Sequence, residues 1–163
     1  MAAAGLGDSA AHFQVYIANR PPLAQYQTLQ TMHPLQAGEI AHIAAETGNH
    51  WRKIFNVYAK LAFALKPQGF SRWQDLRDQQ LLQQGSGYAL LFSPPDSQAE
   101  SAHVRLLLGK GYAAELGLAS GLNWLDDSFA VHQQSGVLVC PYFDYRQLSD
   151  EKIRRLAGLL QSA

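Results

Sequence analysis

The sequence predicts an α/β fold with three α/β/α layers around a four-stranded parallel sheet. Three observations carry this reading. Four short apolar runs, Phe13 to Ala18, Tyr88 to Phe92, Val104 to Leu108 and Val137 to Cys140, look like buried strands, because a strand covered on both faces loses its alternation. Segments of helical periodicity lie between them, so the connections are βαβ crossovers, which make the strands parallel and put helices on both faces. Each run also ends in a turn: Asn19 to Pro22, Ser93 to Pro95, Gly109 to Gly111 and Pro141 to Leu148. These four exits are expected on one edge of the sheet, where open α/β sheets bind ligands.

In chain order, Met1 to Ala11 is small and polar, so residues 1–12 are expected to be a flexible tail ahead of a single domain spanning 13–163. Phe13 to Ala18 is rich in β-branched and aromatic residues, and Pro21 and Pro22 stiffen its exit. Leu23 to Met32 suits a short helix stopped by Pro34. Gly38 to Glu46 and Trp51 to Leu65 carry helical periodicity, with Thr47 to His50 as a turn between them. Ser71 to Leu82 is a further helix, with Ser71 as its cap. Gly109-Lys110-Gly111 leads into a short helix from Tyr112 to Leu116, and Asn123 to Ala130 reads as a polar and aromatic connection. The last helix starts at Ser149, which accepts from free N–H groups, while Asp150 and Glu151 face the positive end of the dipole. Ile153, Leu156 and Leu160 form its inward face.

At 163 residues the chain buries roughly two-thirds of its unfolded surface. Its 47% hydrophobic and 16% charged residues exclude disorder as the main state. Thirteen basic residues balance thirteen acidic ones, so no global field attracts nucleic acid or an anionic membrane, and any anion binding is local. No run approaches membrane-spanning length, and the opening lacks a signal-peptide pattern. The lone Cys140 cannot form an internal disulfide. A cytoplasmic protein with no membrane partner is expected.

Hydrolase, P-loop and dinucleotide motifs are missing. The six histidines, His12, His33, His42, His50, His103 and His132, show no ligand spacing with Cys140 or with carboxylates, so neither a metal nor another cofactor is expected. Cys140 suits a small buried residue better than a nucleophile. Asp126 and Asp127 suit a loop or helix start better than catalytic acids. Lys110 between two glycines is either an anion contact or a solvated lysine in a tight turn. Asn19, a neutral amide at a rigid strand exit, either holds a water or base edge or caps the turn. Tyr142, Phe143 and Tyr145 offer faces for stacking and Arg146 a guanidinium for phosphate; alternatively the aromatics cover the sheet edge.

In order along the chain, several segments resemble the uracil-DNA glycosylase superfamily, closest to its mismatch-specific uracil/thymine branch. Ile17-Ala18-Asn19-Arg20-Pro21 stands where that branch has Gly-Ile-Asn-Pro-Gly after its first strand. Thr47-Gly48-Asn49-His50-Trp51 is similar to its Pro-Gly-Asn-x-Phe-Trp helix opening, and Leu108-Gly109-Lys110-Gly111-Tyr112 to its Gly-Lys-Gly-x-Tyr strand end. Cys140-Pro141 through Leu148-Ser149-Asp150-Glu151-Lys152 has the layout of its last motif and closing helix. The resemblance covers Phe13 to Leu160. It implies a uracil-DNA glycosylase-like fold with a base pocket at the strand exits, DNA or a nucleobase or nucleoside as partner, and cleavage of an N-glycosidic bond in a flipped nucleotide. By position, Asn19 would hold the attacking water, Arg20, Pro21 and Lys110 would line the substrate site, and Tyr142, Phe143, Tyr145 and Arg146 would form the loop that enters or grips the duplex. Trp51 transfers as packing. The alternative is a non-enzymatic module on the same fold that binds a small molecule or a protein through the aromatic loop.

Overall fold

The computed structural model describes residues 3–95 and 104–161. In chain order the elements are β1 (Gly5–Gly7), β2 (Phe13–Tyr16), α1 (Ala24–Gln27), β3 (Met32–His33), α2 (Glu39–Thr47), α3 (Asn49–Leu65), α4 (Trp73–Gln79), β4 (Tyr88–Leu91), β5 (Val104–Leu108), α5 (Lys110–Glu115), a 3-10 turn (Ala119–Gly121), β6 (Leu122–Trp124), β7 (Ala130–His132), β8 (Leu138–Cys140) and α6 (Asp150–Gln161). The strands form one sheet in the order β3-β1-β4-β2-β5-β8-β7-β6.

The four expected strands occupy the middle of that sheet. β2 runs parallel to β4 and to β5, with Val15 opposite Leu90 and Leu106, and β5 runs parallel to β8, with Leu107 opposite Val139. The expected purely parallel four-stranded sheet is corrected at its flanks. β1 adds antiparallel to β4 and carries β3 beside it, while β7 adds antiparallel to β8 and pairs with β6. The sheet is therefore mixed and eight-stranded. The added strands are three residues or fewer, too short for a periodic signal.

The N-terminal residues expected to be a tail also differ: Ala4, Leu6 and Ala11 are buried and β1 lies inside the sheet. Its glycines hide it in the sequence and make it possible in space. A Cβ on Gly5 would stand 2.3 Å from the Leu90 carbonyl oxygen, and one on Gly7, where φ is +120°, 2.5 Å from that of Tyr88. Asp8 then secures the exit of β1, its carboxylate accepting the N–H groups of Ala10 at 3.0 Å and Gly87 at 2.9 Å.

Alternation along the strands divides the core. Leu106 and Leu108 of β5 join Val15, Ile17, Leu90 and Cys140 under α2, α3, α4 and α6, whereas Leu107 joins Tyr16, Leu91 and Val139 against Ala113 of α5. The middle of the first layer is α3, with Trp51, Ile54, Phe55, Tyr58, Leu61 and Ala62 buried. The Tyr58 hydroxyl donates to the Ala89 carbonyl of β4 at 2.8 Å, and burial holds that phenol well above its ordinary pKa.

Helix boundaries follow local chemistry. The expected turn from Thr47 to His50 contracts to Gly48, whose φ of +92° and ψ of −159° separate α2 from α3. Ser71 does not cap α4; that helix begins after Arg72 with no side-chain cap. α5 begins at Lys110, two residues earlier than expected. Ser149 caps α6 as expected, its hydroxyl accepting the Lys152 N–H at 3.4 Å. The expected connection from Asn123 to Ala130 is mostly the hairpin of β6 and β7, where the Asp126 carboxylate accepts the N–H groups of Ser128 and Phe129. Among the described residues, no helix is long and apolar enough to cross a membrane.

Glu39 ties the β3 edge to the helices. It accepts from the Tyr26 hydroxyl at 2.6 Å and the Gln36 N–H at 2.9 Å, and lies 2.8 Å from His33 Nε2. Burial alone would raise its pKa, but these hydrogen bonds outweigh it and lower the value below the ordinary 4.5. A carboxyl with a lowered folded pKa stabilises at neutral pH and loses that contribution as pH falls through the folded value.

Two outcomes are expected. Gly7→Ala should lower stability by roughly 3 kcal/mol in denaturant unfolding, through strain and overpacking. Glu39→Gln should be less stable than the parent at neutral pH, with the gap closing in acid; an unchanged gap at low pH would contradict the assignment.

Candidate functional site

β2 ends at Tyr16, and the Ile17 N–H still reaches the Leu91 carbonyl at 3.0 Å, so the chain leaves the sheet only at Ala18. Asn19 follows, half-buried, on a backbone stiffened by Pro21. From β8, Pro141 opens the loop that returns to α6. Tyr142 in that loop donates its hydroxyl hydrogen to Asn19 Oδ1 at 2.9 Å, and His50 Nε2 lies 3.0 Å from the same hydroxyl oxygen. The two exits singled out in the sequence therefore meet on one edge of the sheet.

The direction of this chain follows from the donor inventory. A neutral phenol has one hydrogen, and Tyr142 gives it to Asn19; the hydrogen shared with His50 must then come from Nε2. Burial raises the Tyr142 pKa above the ordinary 10, outweighing the hydrogen bond with Asn19, which lowers it, and the neighbouring Asp144 carboxylate adds to the rise, so the phenol is neutral at neutral pH. His50 thus donates to Tyr142 and Tyr142 to Asn19. This holds the Asn19 amide in one orientation and leaves its Nδ2 hydrogens and the second lone pair of Oδ1 for other partners. The Asn19 amide and the Tyr142 phenol carry no charge.

The rest of the loop is fastened to α3 residue by residue. Phe143 is fully buried, its ring 5.7 Å from that of Tyr58 at 74°. Asp144 lies 3.9 Å from Lys53 Nζ, and its carboxylate accepts the Arg146 N–H at 2.8 Å. The Tyr145 oxygen accepts from Asn56 Nδ2 at 2.8 Å, Asn56 Oδ1 accepts from Arg77 at 2.7 Å, and Lys60 stands 5.0 Å from the Tyr145 ring centre. Tyr142 alone among these aromatics is directed at Asn19.

Several site residues take places other than the ligand-facing ones expected. The Arg20 guanidinium donates to the carbonyls of Tyr26, Gln27 and Leu29 and lies 5.2 Å from the Phe92 ring centre, so it secures the end of α1. Pro21 is buried, and its carbonyl accepts from the Leu23 N–H and from Gln27 Nε2. Phe143 belongs to the core and Tyr145 is bonded to α3. Arg146 is exposed at the loop's outer side. Lys110 lies at the exit of β5, in the wall of an open cleft of about 270 Å³ that also includes Pro141 and Gln147. Trp51 is buried beside Phe55, as expected of a packing residue. Cys140 is buried and its thiol is pushed far up in pKa by burial, the reverse of an activated nucleophile. Among the described histidines, His33 pairs with Glu39 and His132 with Ser135; His103 lies outside the described residues.

The family described as a family of unknown function, DUF6942, matches residues 4–161. The chain belongs to that family. No curated protein and no solved structure matches it. The match takes in β1 as well as the closing helix, so the elements that bring Asn19, His50 and Tyr142 together all lie inside the family's span.

His50 is the site residue that sequence reasoning missed. Its only signal was a histidine beside the Gly48 break, and nothing local shows that the first turn of α3 faces the β8 exit. Tyr142→Phe, which leaves both neighbours without their shared partner, should lower stability by about 1 kcal/mol, and a double-mutant cycle with Asn19→Ala should be non-additive. A raised folded pKa means that Tyr142 stabilises below its ordinary value of 10 and loses that contribution as pH rises through the folded value. The alkaline fall in stability should therefore be shallower in the Tyr142→Phe variant.

Proposed function

We propose that this chain recognises a nucleobase at Asn19 and acts on DNA as a divergent N-glycosylase or base-binding protein, on a three-layer scaffold of the uracil-DNA glycosylase type. The observation that carries the reading is the hydrogen bond from Tyr142 to Asn19, which joins the exits of β2 and β8 around an oriented, uncharged amide. An amide presents a donor and an acceptor side by side, which complements the lactam edge of a base such as uracil. The uncharged Asn19 amide suits a neutral base, since no ion on this side chain must be desolvated to admit it.

In the glycosylase form of the reading, Nδ2 alone meets the base, donating to its carbonyl oxygen, while the second lone pair of Asn19 Oδ1 accepts a hydrogen from water and turns the water's own lone pair toward the sugar carbon. The bond from water oxygen to that carbon forms as the carbon–nitrogen bond to the base breaks; the departing base carries away the electron pair as an anion, and the proton lost by the water passes through solvent to that base, since a neutral amide orients the water without taking its proton. The parallel strands β4-β2-β5-β8 and the helix following β8 support the scaffold part of the reading. The lone, buried Cys140 accords with a cytoplasmic setting.

One feature favours the base-binding form over the glycosylase form: Phe143 and Tyr145 are held by α3, so the loop lacks the free aromatic wedge that would pry a duplex apart. Base release from duplexes carrying uracil, thymine mismatches or damaged bases decides between them. The glycosylase form predicts release that falls roughly a hundredfold in Asn19→Ala. Salt-sensitive binding to uracil-containing DNA without release would support the base-binding form. Neither release nor binding at low salt would falsify both.

A further inference from the structure

The loop that directs Tyr142 at Asn19 also borders the open cleft of about 270 Å³ at the exits of β5 and β8. Its walls come from separate elements: Lys110 from the first turn of α5, Lys152 from the first turn of α6, and Trp124, Asp127 and Ser128 from the β6–β7 hairpin. Lys53 and Lys60 face Asp144 and Asp150, but among the described residues Lys110 and Lys152 have no carboxylate partner. Two ammonium groups brought to one cleft repel each other, and with Asp127 as the only acid in the wall the lining keeps a positive excess. An anion relieves that repulsion. Trp124 is 46% exposed, large for an indole, and stands in the same wall as a flat apolar face open to water. Ser128 and Asp127 add groups that bond to hydroxyl or amino hydrogens.

Dianion, flat ring and hydroxyl groups occur together in a nucleoside monophosphate. The cleft lies just below the usual range for ligand pockets, about 300–1,000 Å³, so it suits a mononucleotide and is too small for a dinucleotide. We propose that this cleft binds a mononucleotide, with its phosphate between Lys110 and Lys152 and its base against Trp124. The proposal goes beyond the reading of Asn19 and stands on different side chains.

Calorimetric titration of the full chain at low salt with uridine and adenosine monophosphates, their nucleosides and inorganic phosphate tests it. The monophosphates should bind about tenfold or more tightly than either comparison, and added salt should weaken them. Lys110→Gln and Lys152→Gln, both conservative changes on the surface, should each weaken binding about tenfold. Trp124→Ala should weaken it too and abolish the fluorescence change on binding. Three results would overturn the proposal: no monophosphate binding at millimolar concentration, phosphate binding as tightly as the nucleotides, or affinity unmoved by the lysine substitutions. Binding lost in Asn19→Ala but kept in both lysine variants would put the ligand at Asn19, overturning this proposal while supporting base recognition there.

Discussion

The burial of α3 against the sheet is the constraint on which the site depends. Trp51, Ile54, Phe55, Tyr58 and Leu61 leave water together, each apolar side chain of this size contributing roughly 1.5–3 kcal/mol. A single side-chain hydrogen bond at the edge contributes about 1 kcal/mol net. The helix position is therefore set by packing, and the polar contacts conform to it. From that fixed axis His50, Lys53, Asn56 and Tyr58 meet Tyr142, Asp144, Tyr145 and Phe143 of the loop after β8, and Lys60 meets Asp150 at the start of α6. A loop held at so many points has little freedom, so the orientation of Tyr142, and through it of Asn19, is inherited from the core.

The loop's side chains separate on this basis. Its aromatics looked equivalent in the sequence, but packing sorts them: Phe143 turns into the core, Tyr145 lies across α3, and Tyr142 bridges past β5 to the β2 exit. The proposed base recognition needs the bridge; intercalation would need mobile wedges. The same rigidity lets Pro141 and Gln147 border a second, cationic feature at the β5 exit without disturbing the first. The edge of the sheet thus carries the Asn19 amide beside a cleft whose Lys110 and Lys152 have no carboxylate partner among the described residues.

The middle of the fold was legible because each central strand is a run of β-branched, leucine or aromatic residues closed by proline or glycine, and because α2, α3 and α6 carry their apolar faces openly. The flanking strands were not. β1 reads as Gly-Leu-Gly, and its glycines answer a close approach to β4 that only the folded sheet reveals. β3 has two residues, and β6, with Asn123 and an exposed Trp124, lies at an edge where no burial pattern develops. At the site, Asn19 and Tyr142 were legible from their places at strand exits. The partnership of His50 was not, since it depends on how α3 lies across the sheet. Arg20 was expected at the substrate site only through its place in the segment after the first strand that resembles the glycosylases, and nothing in that segment marks the helix end it serves.

The most direct measurement of the central claim is the nuclear magnetic resonance response of the Asn19 side-chain amide and the His50 ring to added free uracil. If Asn19 is the base-recognising group held by Tyr142, both sets of signals move together and saturate with the same affinity. Saturating uracil that leaves the Asn19 amide unmoved, whether it binds elsewhere or does not bind at all, would contradict the account.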